Sequence, residues 1–197
     1  MKKLLILFLI PFLNFSQEIR YSNPDYYDVP LAQNHKNVID IFTWYDNLGK
    51  NTLILTAKKL GGVKVDLRAY HYTGDGNLLW DIKDYSAKNQ QDEYSGINHK
   101  KIRITDLDDD GVAEISILYD LGWDDNNDAR GVKLIMHEKG KKYAIRGKKW
   151  FDIYDDCLYN YNMFGKNSFE SARSSFKLYA KDLFLKEMKS SGECNQW

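Results

Sequence analysis

The chain has 197 residues, with 28 basic and 28 acidic side chains and 14% aromatic residues. That length suffices for one domain with a real core, and the balanced charge argues against holding nucleic acid by bulk electrostatic attraction. Only three prolines interrupt the chain, and it has no low-complexity tract or internal repeat, which argues against a linker with a second domain.

The first segment has the layout of a secretory signal peptide. Lys2 and Lys3 give a positive start, Leu4 to Leu13 form an apolar run broken by Pro11, and Ser16 offers a small residue before Gln17. Ten apolar residues are too few to span a bilayer, which needs about 20. The expected mature protein is residues 17–197, exported to the periplasm or cell surface, with no transmembrane span. Removing residues 1–16 leaves 26 bases against 28 acids, a net charge of −2.

Residues 17–35 carry no clear signal. Ile39 to Tyr45 is rich in β-branched and aromatic residues, and the turn Asn47-Leu48-Gly49-Lys50-Asn51 separates it from a second such run to Ala57. Val65 to Tyr72 and Asn77 to Tyr85 flank Thr73-Gly74-Asp75-Gly76, whose Asp-Gly favours a hairpin. Lys101 to Thr105 and Glu114 to Tyr119 flank an acidic loop. Val132 to His137 and Lys142 to Arg146 flank a hairpin turn at Glu138-Lys139-Gly140-Lys141. The period then changes: Phe169, Ala172, Phe176, Tyr179, Ala180, Leu183, Phe184 and Met188 recur at spacings of three and four. They predict an amphipathic helix over about 168–190, capped by Asn167 with Glu170 in a capping box. The expected fold is α+β: about eight mostly antiparallel strands in a single domain, with the C-terminal helix packed on the sheet.

The acidic loop carries the one chemically specific pattern. Asp106, Asp108 and Asp110 stand at alternate positions, followed by Gly111, Val112 and Glu114. Such spacing lets a short loop wrap a hard cation: three carboxylates, the Val112 carbonyl and Glu114 supply oxygens, and Gly111 permits the sharp turn. Asp109 is expected to face solvent. An EF-hand needs a glutamate at the twelfth position, where Ile117 stands, and the flanks read as strands. Ca²⁺ is favoured over Mg²⁺ because all candidate ligands lie on one flexible loop. The alternative is a solvated acidic turn. A weaker copy of the spacing, Asp124, Asn126 and Asp128, lacks the following glycine and reads better as a surface loop.

From Arg130 to Lys149 eight bases (Arg130, Lys133, Lys139, Lys141, Lys142, Arg146, Lys148 and Lys149) follow the acidic region. They read either as a patch for an anionic partner or as a basic hairpin paired with its acidic neighbour. Cys157 and Cys194, the only two cysteines, permit one intrachain disulfide, which an oxidising compartment favours; it would be worth about 4 kcal/mol in the chain-entropy account. No HExxH, G-x-S-x-G or phosphate-loop pattern occurs. Asp152, Asp155 and Asp156, near Trp150 and Tyr154, are a weak carboxylate set for glycan hydrolysis, and a solvated turn describes them better. Of the tryptophans, Trp123 beside the acidic region is the one expected to be exposed and able to stack on a sugar.

The segments Ile104–Gly111 with Glu114-Ile115-Ser116, and Lys133–Gly147, resemble a family of small exported Bacteroidota proteins labelled "surface polysaccharide biosynthesis protein". Residues 104–116 are also similar to a single FG-GAP/VCBS-type calcium loop of β-propellers. The resemblance implies a role in envelope glycan assembly, with an envelope glycan or another envelope protein as partner, and assigns no catalytic residue. The functional expectation is an exported, non-catalytic accessory protein with one bound Ca²⁺. The alternatives are a small carboxylate-dependent glycan hydrolase, and a structural envelope protein whose ion only stabilises it.

Overall fold

The computed structural model describes residues 17–60, 64–87, 97–123, 129–151, 157–163, 169–189 and 194–196. The leader at 1–16, the 124–128 cluster and the Asp152, Asp155 and Asp156 set lie outside these residues, as does the side chain of Trp123. Among the described residues no helix is long and apolar enough to cross a membrane.

Two sheets pack face to face, and a helix covers the outer face of one. The strands in chain order are β1 (Gln17–Glu18), β2 (Tyr21–Ser22), β3 (Val38–Asp46), β4 (Gly49–Leu60), β5 (Lys64–Thr73), β6 (Leu78–Ala87), β7 (Ile97–Asp106), β8 (Glu114–Trp123), β9 (Ala129–Glu138), β10 (Lys141–Phe151), β11 (Cys157–Asn162) and β12 (Cys194–Gln196). The larger sheet has the order β1-β7-β8-β9-β10-β11-β12, the smaller β2-β3-β4-β5-β6. All pairs are antiparallel except β11 with β12. The mostly antiparallel fold with a C-terminal helix is therefore as expected, with more strands than the eight anticipated. The additional ones are the very short β1, β2 and β12, which are too brief to show a period, and β11, whose Cys-Leu-Tyr-Asn-Tyr-Asn mixes polar and aromatic residues without a hydrophobic run.

The expected hairpins form. At β9–β10, Lys139 and Gly140 both have positive φ, 47° and 87°, as a two-residue turn matched to strand twist requires. The helix α1 runs from Ser174 to Lys189, starting later than the sequence suggests. Phe169 and Ala172 belong to a turn before it: the Phe169 N–H donates to Met163 O and the Ala172 N–H to Phe169 O. Their three-residue spacing continues the helical stripe by coincidence of a turn, so the capping box at Asn167 and Glu170 does not start this helix. Within α1, Phe176, Ala180, Phe184 and Met188 are fully buried. They pack on Leu134, Met136, Tyr143 and Ile145 of the larger sheet. The close approach depends on Gly147, where a Cβ would stand 2.8 Å from Phe184 Cζ and 2.6 Å from Asn160 O.

The larger sheet is thus a middle layer, buried on both faces. Ile115, Ile117 and Tyr119 face the smaller sheet, while Leu118 faces the helix. On the far side, the outer face of the smaller sheet is covered by two 3-10 turns, Tyr26–Asp28 and Pro30–Asn34, over Ile41 and Ile54. Polar ties join the two sheets. Asp84 of β6 accepts from the Tyr119 hydroxyl at 2.8 Å and from the Lys133 ammonium. Burial alone would raise the Asp84 carboxyl, but these two donors outweigh it and hold it below the usual range. Lys133–Asp84 and Arg130–Asp120 (2.9 Å) are ion pairs, so part of the basic stretch is matched to nearby acids.

Two histidines sit between the sheets. His71 Nε2 donates to Asn51 Oδ1 at 2.9 Å, its Nδ1 is buried without a partner, and Trp44 and Trp80 flank its ring. Trp80 in turn stacks on His137 with centroids 4.0 Å apart. Burial pushes His71 down to about 4, against the opposing attraction of Asp46, and pushes His137 down to about 3. For His71 the folded-state value lies below the unfolded one of about 6.5. Its neutral form therefore supports the fold above pH 6.5, and that support is lost as pH falls from 6.5 towards 4. We expect the urea midpoint to drop across this interval: His71 and His137 each contribute up to one proton, or about 1.4 kcal/mol per pH unit, against the opposite slope of the raised Glu114. A His71→Phe variant should be less stable at pH 7, because Asn51 loses its partner, but should show a shallower pH slope; an unchanged slope would contradict the assignment.

The parallel register of β11 and β12 sets Cys157 opposite Cys194. Neighbouring strands lie about 4.8 Å apart, within the Cα separation a disulfide spans. The side chains of both cysteines lie outside the described residues. With this backbone placement we expect no free thiol in unfolded, unreduced mature protein and two after reduction; two before reduction would exclude the bond.

Candidate functional site: the acidic loop between β7 and β8

The loop leaves β7 at Asp106 and re-enters the sheet at Glu114, where Thr105 pairs with Glu114. Asp106 organises it. Its Oδ1 accepts the Asp110 N–H at 3.1 Å and its Oδ2 accepts the Gly111 N–H at 2.9 Å. Asp109 takes a left-handed backbone, φ 57°, and points to solvent as expected; Gly111 follows with φ 77°. Asp110 Oδ1 accepts the Val112 N–H at 2.9 Å.

The turn between β3 and β4 docks on this loop. Asn47 N–H donates to Gly111 O at 2.7 Å, and Asn47 Nδ2 donates to Asp110 O at 2.9 Å. Asp46 Oδ2 accepts the Ala113 N–H and the Trp44 indole N–H, both at 3.1 Å, while its Oδ1 accepts the Leu48 N–H at 2.8 Å. A Cβ on Gly111 would stand 2.0 Å from Asn47 Nδ2. The glycine thus serves both the turn and the contact between the sheets.

The carboxylates of Asp106, Asp108 and Glu114 converge, one oxygen from each lying within 4.8 Å of the others. Together they could hold a metal ion. Glu114 is fully buried. Its Oε2 accepts the Leu107 N–H at 2.6 Å, and its Oε1 has no partner. Asp108 has a side chain only 3% exposed. Arg173 Nη1 forms an ion pair with Asp108 Oδ2 at 2.6 Å, and Asp108 Oδ1 is buried without a partner. Burial pushes Glu114 up to about 8, partly offset by the Leu107 N–H and reinforced by Asp108, Asp106 and Glu138. Burial also raises Asp108, with Asp110 adding to the effect and Arg173 opposing it.

Of the residues expected as ligands, Asp106, Asp108 and Glu114 come together. Asp110 is turned to the Lys139 ammonium, which holds its carboxyl below the usual range. It lies in a second grouping, with Asp108 and Glu138. Val112 is buried, and its N–H is committed to Asp110. Sequence spacing does not find Glu138, Arg173, Asp46 or Asn47. Glu138 enters because β8 and β9 pair Glu114 with Glu138, a register that the spacing of the acidic loop does not reveal. Glu138 Oε2 accepts from the Tyr143 hydroxyl at 3.1 Å. Thr105 Oγ1 and Ser116 Oγ are also buried without partners.

The geometry at Gly111 has a measurable consequence. Gly111→Ala must adopt a left-handed backbone and displace Asn47, which we expect to cost about 1–2 kcal/mol or more in urea unfolding. Gly140→Ala also has positive φ but meets no atom within 4 Å, so it should cost less; equal losses would remove the role of the Asn47 contact.

No family model, curated protein or solved structure matches this chain.

Proposed function

We propose that the protein is an exported, non-catalytic accessory protein of surface-polysaccharide assembly, whose acidic loop binds one Ca²⁺ through Asp106, Asp108 and Glu114. The observation that carries the cation is the state of the carboxylates. Glu114 Oε1 and Asp108 Oδ1 are buried without partners, and Asp108 Oδ2 meets only the half-exposed Arg173. Buried, unpaired carboxylate oxygens are costly, and a divalent cation among them removes that cost. A solvated acidic turn would not bury them. Ca²⁺ suits the site better than Mg²⁺ because oxygens on an irregular loop can meet its longer, more variable bonds, whereas Mg²⁺ retains several waters. The glycan role rests on the resemblance of residues 104–116 and 133–147 to the exported envelope family. A hydrolytic role for Asp108 and Glu114 is disfavoured by their burial, because a glycosidic oxygen cannot reach them.

The test is thermal unfolding of residues 17–197 in EDTA, Ca²⁺ or Mg²⁺. Ligand at about a hundredfold its dissociation constant stabilises by about 2.7 kcal/mol, so Ca²⁺ should raise Tm by about 5–10 °C in a domain of this size, and Mg²⁺ by less. Asp108→Asn should abolish the Ca²⁺ shift and, by removing a buried charge, melt no lower than the parent in EDTA. No shift in metal-free parent protein would overturn the cation. Incubation of the Ca²⁺-loaded protein with surface polysaccharides should give binding without release of new reducing ends; release would favour a hydrolase, and neither binding nor release would leave a structural envelope component.

A further inference from the structure

The side chain nearest the unpartnered Asp108 oxygens is itself a cation. Arg173 Nη1 lies 2.6 Å from Asp108 Oδ2, and its side chain is 58% exposed while that of Asp108 is 3% exposed. A guanidinium bound for structural reasons usually aims its N–H groups at the carboxylate, often in pairs. This one meets Asp108 through a single nitrogen, Nη1, and leaves Oδ1 without a partner. It offsets part of the charge on Asp108, and more than half of its side chain faces water.

Arg173 also has a defined place in the fold. It immediately precedes α1, and its carbonyl accepts the Lys177 N–H at 3.1 Å, the first turn of the helix. Lys139 has a comparable position on Asp110 from the β9–β10 turn. Its partner, however, receives the Val112 N–H as well, so that pair is tied into the loop. Arg173 is the more exposed of the two, 58% against 46% for Lys139.

We propose that Arg173 is an internal competitor of the divalent cation, displaced from Asp108 when the ion enters. This inference rests on the cation site proposed above. A Ca²⁺ ligand oxygen lies about 2.3–2.6 Å from the ion, so an ion bound through Oδ2 and a guanidinium nitrogen 2.6 Å from that oxygen would stand too close for two positive charges in a buried setting. Each cation therefore lowers the affinity for the other, and the coupling is reciprocal. The Ca²⁺ affinity of the loop is set partly by Arg173, and ion binding frees an arginine at the start of α1. An anionic group that captures that arginine should in turn tighten Ca²⁺ binding.

The experiment is calorimetric titration of metal-free residues 17–197 with CaCl₂, using the parent, Arg173→Gln, Arg173→Lys and Asp108→Asn. Competition predicts that Arg173→Gln binds Ca²⁺ about tenfold more tightly than the parent, within the range typical of coupled sites. Arg173→Lys should stay near the parent, and Asp108→Asn should not bind. In the parent, the Arg173 side-chain Nε–H resonance should shift on Ca²⁺ addition, a readout independent of any substitution. Binding by the parent with equal or weaker binding by Arg173→Gln, and no shift of that resonance, would overturn the exchange and leave the cation site standing. Silence of both proteins towards Ca²⁺ would overturn the site itself and the exchange with it. Binding by Arg173→Gln alone would support the exchange in its strongest form.

Discussion

One carboxylate, that of Asp46, sets the position of the acidic loop. It accepts the Trp44 indole, the Leu48 amide and the Ala113 amide, so it joins the β3–β4 turn of one sheet to the end of the acidic loop in the other. Apolar contact between the sheets is non-directional and does not by itself fix how far one slides on the other. The Ala113 bond, which alone of the three crosses between the sheets, is directed and sets that register at one corner. The Asn47 contacts to Asp110 O and Gly111 O complete the clamp. With Ala113 held, Glu114 must enter the sheet with its side chain on the opposite face, in the dry layer beneath the helix.

That layer explains the electrostatics of the loop. The larger sheet is buried on both faces, so the alternation of its strands does not place polar residues in water. On β8, Ile115, Ile117 and Tyr119 occupy the layer between the sheets, leaving Glu114 and Ser116 in the layer under α1. A carboxylate there has three available remedies: protonation, a protein cation or a metal ion. Burial pushes Glu114 towards the first, and Arg173 beside Asp108 is the second. Neither supplies hydrogen bonds to the remaining oxygens.

Much of the fold is legible in the sequence because local chemistry dictates it. The Asp75-Gly76 and Lys139-Gly140 turns need residues tolerant of positive φ, and the Phe176, Ala180, Phe184, Met188 stripe follows the helical repeat. The loop also announces itself, since Asp106 and Gly111 perform the turn chemistry that their spacing implies. What the sequence conceals is non-local. Glu138 reaches Glu114 through a register, Arg173 reaches Asp108 through the packing of a helix, and Lys139 holds Asp110 in the grouping with Asp108 and Glu138. The helix start is hidden for a similar reason: Phe169 and Ala172 are apolar at helical spacing, but a turn anchored on Met163 buries them.

The same non-local contacts decide between an acidic turn and a site. Alternate aspartates with a glycine describe both, and local hydrogen bonds to Asp106 stabilise both. A turn that merely faces solvent keeps its carboxylates hydrated. This loop withdraws Asp108 and Glu114 from water because the β3–β4 turn caps it on one side and the segment leading into α1 closes the other. The desolvation is imposed by the packing of two sheets and a helix, and the loop alone cannot relieve it without unfolding. Charge compensation must therefore arrive from outside the loop, and Arg173 supplies part of it from the start of α1 with more than half of its side chain in water.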